Sequence, residues 1–242
     1  AYHLDDVGDS IGDSFQVYSK WNNLPIDSRG FIQSRGFLID SCFRDNLRYL
    51  ESNPLIAFSL VDLYNSFGGK ILVTIRNPRK VIESHFLKGW YSSFNVADGS
   101  ITGYQYFHER PNHFFSRILP RHSAELAEWT STTRLGRLSW MWYSTYIEIL
   151  NQLKVLPEEN YSFVYLDNLD FPDLANICSF LNLNEFLSAQ DYRSLVRASP
   201  GKGVKGTVIW DEASKTSFNR YVSRLIELLP HNPVMSSWLF KE

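Results

Sequence analysis

Lys70-Ile-Leu-Val-Thr-Ile-Arg-Asn-Pro-Arg-Lys-Val-Ile-Glu-Ser-His85 is the stretch whose reading decides the fold. Ile71 to Ile75 is a short β-branched run without alternation, preceded by Gly68-Gly69. Such a run reads as a strand buried on both faces, as in a parallel sheet. Pro78 suits the first turn of a helix, where its missing N–H has no intrahelical partner. Val81, Ile82 and Phe86 then recur on one helical face. The chain therefore predicts strand, tight turn, helix. Arg76 falls at the carboxyl end of the strand, where open α/β sheets bind ligands, and Ser84 follows eight residues later, two turns along the helix. A guanidinium fork and a hydroxyl so placed suit a phosphate. The plainer alternative makes Arg76 a strand-end residue and Ser84 an ordinary helix residue.

Arg76-Asn-Pro-Arg-Lys-Val-Ile-Glu-Ser84 resembles the 3′-phosphate-binding motif of the sulfotransferases that use 3′-phosphoadenosine 5′-phosphosulfate (PAPS). The resemblance implies that Arg76 and Ser84 hold the 3′-phosphate of that nucleotide. It also implies a P-loop-NTPase-like fold, a parallel β-sheet flanked by helices. In that family the fold begins with a strand, a Gly/Ser/Thr-rich loop and a helix that cradle the 5′-phosphosulfate. Nothing of the form Ser-Gly-Thr-Thr occurs in the 242 residues. The element lies upstream of Ala1 or is missing from the protein.

Composition sets the outer bounds. A chain of 242 residues with 44% hydrophobic residues can bury a full core and is expected to form a single α/β domain over 1–242. A net charge of −2 gives no reason to expect nucleic acid or an anionic membrane as partner. Cys42 and Cys178 sit in apolar surroundings and read as buried free thiols, with no disulfide framework or metal spacing. No run approaches the ~20 apolar residues of a membrane span, and no signal peptide is visible. The expectation is a cytoplasmic protein without a membrane span.

Ala1 to Asn23 is rich in Asp, Gly and Ser and reads as surface loop. Its glycines lack the lysine of a nucleotide-binding phosphate loop, and no calcium-loop spacing is present. From Ser34 to Phe67 the chain reads as helices, with Phe37, Leu38 and Cys42 on one face and a second helix from Leu55 after Asn53-Pro54. Cytosolic relatives carry a catalytic His just before that helix. Here the segment is Glu51-Ser52-Asn53, which makes Glu51 the first candidate base. A carboxylate can take a proton from an acceptor hydroxyl if desolvation raises its pKa. The alternative has Glu51 and Asn53 capping the helix entered at Pro54. His85 and His3 are weaker candidates.

Residues 89 to 133 form a long insertion rich in aromatics, which the resemblance assigns to the acceptor pocket. His108 and His113 within it have no third ligand at metal spacing, and no metal is expected. Arg134 to Lys154 reads as a long amphipathic helix, followed by a strand at Tyr161 to Tyr165, an acidic turn and a helix on Leu174, Ile177, Phe180 and Leu181. This order is similar to the second half of the sulfotransferase fold, which implies that Tyr165 approaches the adenine. On its own, a strand-terminal Tyr is core or rim. Arg197 to Gly206 is a glycine-rich cationic loop before a last helix at Ser217 to Leu229. Lys202-Gly203-Val204-Lys205-Gly206 resembles the family's C-terminal Lys-Gly-x-x-Gly element, in which backbone N–H groups and lysines wrap the 3′-phosphate. The Arg that usually precedes it is Gly201 here, and the usual Asp-Trp-Lys after it is Thr207-Val208-Ile209. The alternative is a solvated loop.

The resemblance covers about Glu51 to Leu229. It implies sulfuryl transfer from PAPS, as co-substrate, to a small-molecule or carbohydrate acceptor with a hydroxyl or amine. A non-catalytic nucleotide-binding or scaffold module of the same fold is the second class. Another nucleotide-dependent transferase is the third, disfavoured because no Gly-x-x-x-x-Gly-Lys-Ser/Thr occurs.

Overall fold

The computed structural model describes residues 13–92, 96–97, 100–101, 117–183, 188–198 and 206–241. In chain order they form helices α1 (Asp13–Trp21), α2 (Arg29–Arg44) and α3 (Leu60–Phe67), strand β1 (Ile71–Ile75) and helix α4 (Pro78–Leu87). A two-residue antiparallel pair follows, β2 (Val96–Ala97) and β3 (Ser100–Ile101). Then come α5 (Ser123–Ser131), α6 (Arg134–Leu153), β4 (Tyr161–Tyr165), α7 (Phe171–Phe180), α8 (Ala189–Ala198) and α9 (Glu212–Ile226). The fold is thus largely helical and broadly α/β, with a small parallel sheet.

The deciding stretch folds as its residues dictate. Gly68 and Gly69 take φ of 66° and 93°, a left-handed region that side chains avoid, and so end α3 and turn the chain into β1. β1 pairs in parallel with β4, with Ile71 opposite Tyr161 and Ile75 opposite Tyr165. Val73 and Ile75 are buried but Thr74 is exposed, so β1 is not covered on both faces as its run of apolar residues predicts. Among the described residues the parallel sheet has only these two strands. Asn77 caps α4, its side-chain oxygen accepting from the N–H groups of Arg79 and Lys80, and Pro78 takes the first turn.

α6 is the axis of the core. Its 20 residues run about 30 Å, and they bury Leu138, Trp140, Met141, Trp142 and Leu153. One apolar cluster joins these to Val17 and Trp21 of α1, Ile75 of β1, Ile82 of α4, Phe218 and Leu225 of α9, and Trp238. Burying so many large side chains is the main stabilising term, at ~1.5–3 kcal/mol each.

The following expectations are corrected here. Asp13 to Trp21 is a buried helix, not surface loop: Val17 is fully buried, Trp21 packs edge-on against Phe58 and Trp140, and the buried Asp13 meets Arg35. Its polar residues hid a tertiary partner. α2 does not bury Phe37 and Leu38, which are 73% and 40% exposed. Its buried positions are Phe31 and Arg35, because the ion pairs of Arg35 set which face turns inward. Cys42 and Cys178 are free but only half-buried. The last helix starts five residues early, at Glu212, since Asp211 accepts from the Ser214 N–H and caps it. α8 falls in a stretch for which no helix was predicted.

Candidate functional site

Because Ile75 faces Tyr165 in register, both parallel strands end at one edge. Arg76 leaves β1 there and Leu166-Asp167-Asn168 leaves β4 as a short 3₁₀ turn. Asp167 ties the two turns together. Its carboxylate accepts from the Asn77 backbone N–H, and from the Lys80 ammonium at 2.8 Å. Burial works to raise the Asp167 carboxyl, but Lys80, the Asn77 N–H and the charge of Arg76 outweigh it and hold the group below its ordinary value. Arg76 itself is exposed and makes no hydrogen bond or ion pair among the described residues. Arg79 is used differently: its guanidinium lies 3.9 Å over the Phe240 ring and donates to the Trp238 carbonyl.

Ser84 lies half-buried on α4, four residues beyond Lys80 and so on the same face. The far end of the chain comes back to this helix. Gly206 packs so closely on Leu87 that an added Cβ would sit 2.6 Å from its Cδ2. Trp210 donates its indole N–H to Glu83 at 2.9 Å and packs edge-on against Phe218 and at a tilt against Phe240. Gly206 thus reaches the turn of α4 that follows Ser84. Lys202, Gly203 and Lys205 lie outside the described residues.

Tyr165 is half-buried at the end of β4. Its hydroxyl donates to the Pro230 carbonyl and its ring lies 6.1 Å from Trp238. The hydroxyl is therefore engaged within the protein, and burial pushes it above its ordinary pKa.

Glu51 belongs to a separate cluster. Arg35 grips it with two donors, from Nε at 2.9 Å and from Nη2 at 2.7 Å, and Nη2 also reaches Asp13 at 2.8 Å. The Tyr49 hydroxyl donates to Glu51, and the Asn53 amide to Asp13. Desolvation raises the Glu51 carboxyl, but Arg35, Tyr49 and Asn53 prevail and set it below its ordinary value. A base asks for the opposite direction. Asn53 caps the 3₁₀ helix Pro54–Phe58 through the Leu55 N–H, whereas Glu51 caps nothing.

His85 stacks on Trp90, with ring centroids 4.0 Å apart and planes 2° from parallel. Its Nδ1 is buried without a partner. Burial, aided by the Lys88 charge, lowers its pKa to about 4. It is neutral at neutral pH, as a base must be. His3, His108 and His113 lie outside the described residues.

Two surface cavities, of about 540 and 530 Å³, flank the 22–26 turn. Arg121 and His122 line the first, Glu148 and Gln152 the second, and neither is lined by Arg76, Ser84 or Asp167. Among the described residues no three His, Cys, Asp or Glu side chains gather as metal ligands, and no helix is long and apolar enough to cross a membrane.

Sequence reasoning missed Lys80, Asp167 and the Asp13–Arg35 pair. The first had a legible signal, the four-residue spacing of Arg76, Lys80 and Ser84. The others depend on contacts across 90 and 22 residues. Comparison of the chain with protein-family models, with curated proteins and with solved structures found no match.

Proposed function

We propose that the chain binds the 3′-phosphate end of a 3′-phosphoadenosine nucleotide at the carboxyl ends of β1 and β4, in a P-loop-NTPase-like sulfotransferase fold. Its activity is the transfer of the sulfuryl group of PAPS to a hydroxyl or amine acceptor. Arg76, Ser84 and the Lys202–Gly206 loop hold the 3′-phosphate, and the ring of Tyr165 lies toward the adenine. The observation that carries this reading is the return of Gly206 to α4, one turn from Ser84. Gly206 ends a segment read as anion-binding, and it packs on the helix that carries Ser84, about 120 residues away in the chain.

In the transfer an acceptor oxygen or nitrogen attacks sulfur, the bond from sulfur to the 5′-phosphate oxygen breaks, and the acceptor proton passes to a base. Glu51 was read as that base, and its hold on Arg35 favours a structural part instead. The same observation favours a second reading, a nucleotide-binding module without transferase activity. Release of 3′-phosphoadenosine 5′-phosphate from PAPS, assayed over a panel of hydroxyl and amine acceptors, separates the two.

Calorimetry with 3′-phosphoadenosine 5′-phosphate and with adenosine 5′-phosphate tests the binding itself. The 3′-phosphate is expected to tighten binding about ten- to a hundredfold, the worth of a charge-assisted contact. Equal affinity for the two overturns the assignment, and Arg76→Gln is expected to abolish the difference.

A further inference from the structure

Resting on that reading, we propose that Lys80 is a further phosphate-binding residue, held in reserve by Asp167 and handed to the ligand when the phosphate arrives. Lys80 stands between Arg76 and Ser84 in the chain, and four residues before Ser84 on the same face of α4. Any anion held by both Arg76 and Ser84 therefore lies within the sweep of its side chain, whose four-carbon stem is free to move. The Lys80 side chain is 64% exposed, so no packing fixes it, while that of Asp167 is only 12% exposed and has a second donor in the Asn77 N–H. The carboxylate is thus the fixed member of the pair and the ammonium the mobile one.

Asp167 also feels the charge of both Lys80 and Arg76. A phosphate entering beside it meets one like charge, and Asp167 felt by Arg76 opposes the ligand. Transfer of Lys80 from carboxylate to phosphate offsets that repulsion, and Asp167 keeps the Asn77 N–H throughout. The pair then favours a dianionic phosphate, which rewards a second cation, over a singly charged sulfate ester.

The test uses Lys80→Gln, Lys80→Arg and Asp167→Asn in the full chain, titrated at low salt with 3′-phosphoadenosine 5′-phosphate and with inorganic phosphate, and with adenosine 5′-phosphate as the reference for nucleotide preference. Lys80→Gln is expected to weaken binding of both about tenfold, and Lys80→Arg to restore it. Asp167→Asn, whose amide oxygen still accepts from Asn77, is expected to tighten binding several-fold. Both Lys80→Gln and Asp167→Asn break the same ion pair, so a bridge that serves only structure moves both in one direction. Opposite signs carry the proposal. Should Asp167→Asn fail to fold, loss of binding with Lys80→Gln at an unchanged thermal midpoint, restored with Lys80→Arg, carries the proposal, whereas a loss that accompanies a lowered midpoint overturns it. Nucleotide preference unaffected by Lys80→Gln overturns the exchange alone. Opposite shifts with inorganic phosphate, but no preference for the 3′-phosphorylated nucleotide, keep the exchange and overturn the nucleotide reading. Failure to bind either probe overturns both.

Discussion

Two clusters of charge in this protein are built from the same side chains to opposite ends. Around Arg35 every charge is spent: the guanidinium is 3% exposed and lies between Asp13 and Glu51, whose remaining lone pairs meet Tyr49 and Asn53. Around Arg76 the guanidinium is exposed and has no partner among the described residues, and the Asp167 carboxylate that feels its charge is taken up by Lys80 and a backbone N–H. The first arrangement ties α1 and α2 to the segment before Pro54. It commits the guanidinium to partners inside the protein. The second leaves one cation, Arg76, without a partner among the described residues, beside a second, Lys80, held by a single exposed ion pair. Burial decides which kind a cluster becomes, since a buried charge must be fully paired while an exposed one can wait in water.

The comparison is broken most severely at Arg35. Arg35→Met leaves two carboxylates, one of them fully buried, without their cation. Urea denaturation is expected to show a loss of about 3–5 kcal/mol, the cost of stranding a buried charge. Arg76→Gln, by contrast, is expected to leave stability within about 0.5 kcal/mol. Equal destabilisation by the two would erase the distinction.

A smaller effect is expected from Glu51→Gln, which retains hydrogen-bonding atoms but removes one charge. Stability should fall by about 1–3 kcal/mol, with turnover per folded molecule retained. A hundredfold drop in turnover at an unchanged thermal midpoint would instead make Glu51 the base. The same carboxylate has a pH signature. Its folded pKa lies below the ordinary value of 4.5, so its contribution is present above that value and is lost as the pH falls below it.

His85 gives the smallest effect and sharpens the contrast, being half-buried against Trp90 with its Nδ1 unpartnered. Its pKa is about 4 in the folded chain against 6.5 when exposed. The unfolded chain therefore binds a proton first, and stability is lost as the pH falls from 6.5 towards 4, by about 1–2 kcal/mol after allowance for partial exposure. His85→Phe keeps a ring against Trp90 and should flatten stability over that window. A slope that persists in the variant assigns it to another group.

Local chemistry made some elements legible. The β-branched run at Ile71–Ile75, Pro78 in a first helical turn, the apolar stripe of Arg134–Leu153 and the strand at Tyr161–Tyr165 all declare themselves within a few residues, and all are present. α1 did not, because Asp13, Ser14, Gln16 and Ser19 are polar residues buried by partners elsewhere in the chain. Nor did the uncovered half of α2, where Phe37 and Phe43 point outward despite their hydrophobicity. A pattern of apolar spacing records what a helix could bury, not what the fold supplies to cover it.

The sequence by itself determined the strand, turn and helix that put Arg76, Lys80 and Ser84 at regular intervals, since backbone propensity and capping act over one or two turns. Only the tertiary structure decided which charges are free. The pairing of β1 with β4 brought Asp167 to Asn77 and Lys80, the packing of α1 gave Arg35 a second carboxylate, and the return of the chain set Gly206 on Leu87. Each is a contact between distant residues, and whether a charge is desolvated and paired depends on what lies around it in space.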